Sequence, residues 1–284
     1  MAETNVSSQE ETLKSVKLYY DVERIYNELK ELGYSKTDPL KIEDLCKIDQ
    51  YHYHGTEAVQ EAIQLLNINA DHKVLDVGSG LGGPARYLAN ITKCHVTAIE
   101  IQHQLDVTAK DLTKRCQLDH YVHHECGDIL TADFGSNKYD IVASWLVYLH
   151  IADKKSLFKS CYKLLKPGGK LFAEDFWTQG TFTSDEKKLL DSVVYCPNLP
   201  DKESYKDSLS QAGFTDIQVL DMSDDWTEHC TTRLTDFQSK KERHTRVLGL
   251  ETVAALELFY TVVADSFTSG KLKGGRILAT KPLL

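Results

Sequence analysis

Long apolar runs are missing from this chain: nowhere do about eighteen apolar residues occur together, so no membrane-spanning helix is expected. The opening MAETNVSSQEE is acidic and polar where a secretory signal needs a basic start and an apolar stretch. Basic charge is short as well. Lys and Arg number 33 against 42 Asp and Glu, for a net charge of −9, which argues against nucleic acid or an anionic membrane surface as the main partner. The seven cysteines form no C-x-x-C pair and read as reduced, packed thiols of a cytoplasmic protein. His52 and His54 flank Tyr53, and His123 and His124 are adjacent, but neither spacing is that of a zinc site, so no metal is expected. No Pro/Gly/Ser-rich linker, internal repeat or low-complexity tract divides the 284 residues. These absences leave one α/β domain, a monomer or weak dimer, that handles a small molecule.

Residues 11–32 read as a helix, with apolar positions at Leu13, Val16, Leu18, Ile25 and Leu29, and residues 56–66 read as another. From Lys73 onward, strand-like runs (KVLDVG, HVTAIE, YVHHECGD, YDIVASW, GKLFAEDF) alternate with amphipathic helical segments, the pattern of a parallel sheet being wound. KPGG at residues 166–169 turns the fourth helix into the fifth strand. DIQVLDM and GRILATKP are two further strands, separated by a long helical insertion at about residues 224–269. The expected architecture is a doubly wound, mostly parallel seven-stranded sheet with its last strand antiparallel. Residues 1–70 would form an N-terminal helical lid and residues 71–284 the main domain.

Gly78, Gly80 and Gly83 form a G-x-G-x-x-G turn between a strand and a helix, which aims backbone N–H groups at a ligand. Glu100 closes the next strand about twenty residues on, so the stretch also matches the dinucleotide fingerprint. Asp76 decides between cofactors. An anion two residues before the first glycine would repel a pyrophosphate but attract a ligand bearing an ammonium and a sulfonium, and S-adenosylmethionine is such a ligand. Glu100 would then accept from both ribose hydroxyls, Asp128 from the adenine amino group, and Ile129 would pack on the ring. The alternative is that Asp76 and Asp128 merely cap the segments that follow.

D-x-G-x-G, the acid after the second strand, GDIL and LKPGG together resemble class I S-adenosylmethionine-dependent methyltransferases, over residues 73–176 most strongly. The resemblance implies a Rossmann-like fold and adds Ile101 and Ser144 to the cofactor site. The segment YDIVASWLVYLHIADKKSLFKSCYKLLKPGGKLFAEDFW is similar to phosphoethanolamine methyltransferases and to sarcosine and dimethylglycine methyltransferases. By that resemblance His150, which stands in the loop after the fourth strand, is a general base, and a lid tyrosine, Tyr19 or Tyr20, works with it. Tyr51 and His52, in DQYHYHGTEA, would touch the cofactor.

One departure bears on the methyl acceptor. Where the phosphoethanolamine enzymes carry an Arg-Asp pair after the fourth strand, this chain has Trp145 and Leu146, and their phosphate-binding basic positions align with Val193 and Val263. A phosphate is therefore expected to have few partners. Trp145, Tyr148, Trp177 and Trp226 would instead line a cavity for an apolar or cationic group. The expected activity is N-methylation of a small amine, sarcosine- or dimethylglycine-like rather than phosphoethanolamine. The alternatives are O-, S- or C-methylation of an apolar metabolite, or a cofactor-binding protein without turnover.

Overall fold

The computed structural model describes residues 22–283. Among the described residues, three helices, α1 (Glu23–Glu31), α2 (Ile42–Leu45) and α3 (Thr56–Leu66), precede the sheet. The winding then runs β1 (Lys73–Val77), α4 (Gly83–Thr92), β2 (His95–Glu100), α5 (His103–Arg115), β3 (Val122–Cys126), β4 (Tyr139–Trp145), α6 (Lys154–Leu164) and β5 (Leu165–Thr178). Helices α7 (Ser184–Val193) and α8 (Lys202–Ala212) lead to β6 (Thr215–Asp221). The insertion is helical, as α9 (Ser223–Ser239), α10 (Lys241–Leu248) and α11 (Leu250–Thr268), and β7 (Leu272–Thr280) follows.

The seven strands lie in the order β3-β2-β1-β4-β5-β7-β6, with β7 antiparallel to both neighbours. Alternate residues of each strand supply the two faces, as the period of two requires. Leu75, Val77, Val142 and Leu171 pack on one side, and Val74, Val96, Ala98, Ile141 and Phe172 on the other. The expected architecture is thus the observed one, with a refinement at KPGG. Tyr139 pairs with Leu165 but Ile141 pairs with Lys170, so residues 166–169 bulge out of β5 rather than precede it.

The insertion is anchored by aromatic packing. Trp226 of α9 meets Phe176 of β5, Phe267 of α11 and Tyr53, and it lies so close to β7 that a Cβ on Gly274 would fall 2.4 Å from its ring. The acidic start of α9 is therefore packed through Trp226, although Asp224 and Asp225 in it stay exposed. On the outside, Arg243 and Arg246 of α10 pair with Glu28 and Glu31 of α1, tying the N-terminal segment to the insertion. Tyr19 and Tyr20 lie outside the described residues.

Candidate active site

The sheet order reverses between β1 and β4, and a crevice opens at the carboxyl ends of strands where such a reversal occurs. There the structure holds a cavity of about 340 Å³. Its walls come from residues 49–53, the glycine turn, the ends of β2 and β4, residues 127–131 and 145–153, and single residues of β5, α9 and α11.

The glycine turn is built for close approach. Gly78 (φ +72°) and Gly80 (φ +54°) adopt backbone that favours glycine, and a Cβ on Gly78 would stand 2.3 Å from Val147 Cγ1. Glu100 staples the turn: its Oε2 accepts from Gly80 N and its Oε1 from Gln102 N, both at 2.9 Å. Burial raises its pKa while those N–H groups work against the rise. Asp76, 1% exposed between Ala98 and Ala143, has an Oδ2 with no hydrogen-bond partner among the described residues. Burial first and Glu100 second push its carboxyl up to about 8. An orphaned acid oxygen beside a second acid, in a cavity, is a demand for a cation. Ile101, Asp128 and Ile129 complete this end, and half-buried Asp128 also accepts from Leu130 N at 2.9 Å, so the local turn bond coexists with its place in the cavity wall.

The loop after β4 is held under strain. Leu146 has φ +55°, uncommon for a branched residue, while its N–H donates to Glu174 O at 2.8 Å. From below, buried Lys154 donates to the carbonyls of Tyr148 (2.6 Å) and Ile151 (2.7 Å). His150 therefore reaches the cavity from a fixed turn, and its Nδ1 lies 2.9 Å from Tyr195 O. A carbonyl only accepts, so Nδ1 carries the proton and Nε2 the lone pair. Burial, against the opposing Tyr195 bond, brings the His150 pKa down to about 4, which keeps the imidazole neutral.

The N-terminal segment forms the third wall. A buried ion pair, Asp49–Arg86 at 2.8 Å, fastens it to α4, Gln50 bonds both Asp49 and His52, and Arg24 stands 4.7 Å over the Tyr51 ring. Tyr51 and His52 thereby line the cavity. Burial lowers His52 to about 3 and raises its neighbour Glu174 to about 8.

The structure thus gathers Tyr51, His52, Asp76, Gly78, Gly80, Glu100, Ile101, Asp128, Ile129, Trp145 and His150 around one cavity. It places four expected residues elsewhere. Ser144 is buried with its Oγ donating to Val77 O, Tyr148 is buried against Cys161, Trp177 lies beneath Lys202, and Trp226 belongs to the insertion core. Strand alternation explains two of these, because Ser144 and Trp177 point away from the side to which Trp145 and Phe176 point. Val263 is core and Val193 half-buried against it. Sequence reasoning missed Phe176, Val194, Phe259 and Arg233, which also line the cavity. The histidine pairs are otherwise engaged: His54 with Asp225 (2.7 Å), His124 with Thr113 (2.8 Å), and His123 beside Glu125. His103, Asp106 and Cys126 are grouped closely enough to hold a metal but stand outside the cavity lining.

The family described as a methyltransferase domain matches residues 75–173. By that match residues 75–173 are similar to a methyltransferase domain. It is 28% identical to phosphoethanolamine N-methyltransferase 1 of Zea mays over 89% of its own length and 50% of that protein. It is 24% identical to a glycine/sarcosine/dimethylglycine N-methyltransferase of Actinopolyspora halophila, over 78% of this chain and 39% of the relative. The chain thus spans about half, or less, of the length of these curated relatives. Among solved structures, phosphoethanolamine N-methyltransferase 2 of Haemonchus contortus, complexed with phosphomonomethylethanolamine and S-adenosylhomocysteine, superposes with TM-score 0.76 at 22% identity. That match covers 82% of this chain and 54% of the other, and at this identity it speaks for the fold.

Proposed function

We propose that the protein transfers the methyl group of S-adenosylmethionine to the nitrogen of a small amine. The observation that carries this reading is the pairing, in one cavity, of the orphaned Asp76 carboxyl with the neutral His150. Asp76 would hold the ammonium of the cofactor, Glu100 would accept from its ribose hydroxyls, and Asp128 with Ile129 would take the adenine. The cofactor supplies an electrophilic methyl on a sulfonium and departs as a neutral thioether. The chain's own work is then positioning: its walls exclude water and hold the acceptor lone pair on the S–CH₃ axis. The nitrogen must lose a proton, and Nε2 of His150, its tautomer fixed by Tyr195 O, is the atom to accept it.

Residues 1–70 would serve as a lid, a reading supported by the Glu28–Arg243 and Glu31–Arg246 pairs and by Tyr51 and His52 in the wall. In that lid Tyr19 or Tyr20 is assigned to orient the acceptor. A cytoplasmic monomer or weak dimer is our reading, and its reducing compartment fits seven cysteines of which none is in a disulfide; no helix of the described residues is long and apolar enough to cross a membrane. The Trp145, Leu146 and Phe176 wall favours a second reading, methylation of an apolar metabolite at carbon, oxygen or sulfur. Release of S-adenosylhomocysteine, measured against a panel of amines and of apolar alcohols and thiols, separates the two. Release driven by amines supports the first reading, and release driven only by the apolar set replaces it.

A further inference from the structure

Arg233 is the one Lys or Arg among the described residues that line the cavity. The acids of the same wall are placed otherwise. Asp49 is paired with Arg86, Asp153 caps α6 by accepting from Ser156 N, and Asp76 and Glu100 form the cofactor end. Among the described residues no carboxylate stands within ion-pair distance of Arg233. Its guanidinium is held instead by α11: it lies 4.7 Å from the Tyr260 ring centroid, and its Nη2 donates to Tyr260 Oη at 3.3 Å. Burial raises the Tyr260 hydroxyl, and the guanidiniums of Arg233 and Arg24 bring it below its ordinary value, so two cations serve one phenol. A half-buried guanidinium fixed on an aromatic face, with its fork unmatched by a carboxylate of the described residues, is a receptor for a planar or tetrahedral oxyanion.

We infer that Arg233, oriented by Tyr260, binds an anionic group, phosphate or carboxylate, on the methyl acceptor, so that the acceptor is an amine with an acid at its other end. This rests on the N-methylation reading above. It revises the expectation that a phosphate would find few partners, because the cation enters from α9 and not from the positions of Val193 and Val263. The cavity wall then carries both signs: carboxyls for the cofactor cation, a guanidinium for the acceptor anion.

The test uses the full chain loaded with S-adenosylhomocysteine and three probes, phosphoethanolamine, sarcosine and ethanolamine, titrated by calorimetry. The parent should bind one of the two acids more tightly than ethanolamine, and which of them binds better names the anion. Arg233→Gln should weaken that probe by about 10- to 150-fold, the range for losing a hydrogen bond to a charged group, while ethanolamine changes by less than about threefold. Arg233→Lys should restore part of the loss by charge alone, and Tyr260→Phe should weaken the same probe by less. An unchanged S-adenosylhomocysteine affinity and melting temperature show that the variants are folded. Equal changes for all three probes, or no binding of either acid by the parent, overturns the inference. Turnover is followed separately. Anion-selective binding without methyl transfer to nitrogen removes the N-methylation reading and keeps the Arg233 site, whereas transfer that ignores Arg233 removes the site alone.

Discussion

The Nδ1 atom of His150 and the carbonyl oxygen of Tyr195 stand 2.9 Å apart, and both flanks of that contact are strained, with Leu146 at φ +55° and Tyr195 at φ +58°. Strain kept on two residues around one imidazole is the mark of a side chain whose orientation matters.

His150→Ala is therefore expected to lower turnover by about 10²-fold or more with little change in cofactor affinity. Because burial brings His150 down to about 4, its titration falls below the usual assay range. The rate should rise with pH only as the acceptor amine loses its proton. A limb near pH 6.5 that disappears in the variant would contradict the lowered pKa of His150, and parental turnover in the variant would contradict its assignment as the proton acceptor.

The Asp76 carboxyl, raised to about 8, is mostly protonated at neutral pH until a cation arrives. Binding S-adenosylmethionine should release a proton, and affinity should tighten by up to about tenfold per unit between pH 6 and 8. Calorimetry in buffers of different ionisation enthalpy reads that proton. In Asp76→Asn the pH dependence should vanish along with much of the affinity.

Stability of the unliganded protein has its own pH window. The folded pKa of Asp76 is raised to about 8 from an ordinary value of 3.8, whereas Glu174, which burial also pushes up, is held by Arg276 Nε at 2.9 Å. The native state thus binds more protons than the unfolded state, and stability falls as pH rises toward 8. His52, His124, His150 and His229 work the other way, lowered from 6.5 to about 3 or 4, but their contribution is complete above 6.5. The melting temperature should consequently decline from about pH 6.5 to 8, where Asp76 acts alone. Asp76→Asn should flatten that decline.

Gly78→Ala should abolish cofactor binding, since its Cβ meets Val147 at 2.3 Å and its φ is +72°. Adding Val147→Ala removes the two closest contacts but leaves its Cβ 2.9 Å from the new methyl, and the left-handed backbone also remains, at about 1–2 kcal/mol for a residue with a Cβ. Partial recovery in the double variant, read by isothermal titration, is the expected result. Full recovery would mean that the backbone conformation is unimportant.

The placing of Asp76, Gly78, Gly80, Glu100 and Asp128 around one cavity was legible because it is local: all sit at strand ends, where the alternation of strands and helices already locates them. The wall that holds Arg233 is not local. Arg233 sits on a helix reading TEHCTTRLTDF, whose charges look like a solvated face, and only the packing of α9 against α11 turns that arginine inward. Trp177 misled because its neighbour Phe176, one residue away and on the opposite side of the strand, is the aromatic that faces the cavity.

The most direct measurement is the fate of a ¹³C-labelled methyl group from S-adenosylmethionine, followed by NMR with the full chain and phosphoethanolamine, sarcosine and ethanolamine as acceptors. The account predicts an N-methyl signal that depends on His150 and is strongest with one of the two acid-bearing amines. Label that appears on carbon, oxygen or sulfur of another acceptor, or cofactor that stays bound with its methyl in place before every amine offered, would contradict it.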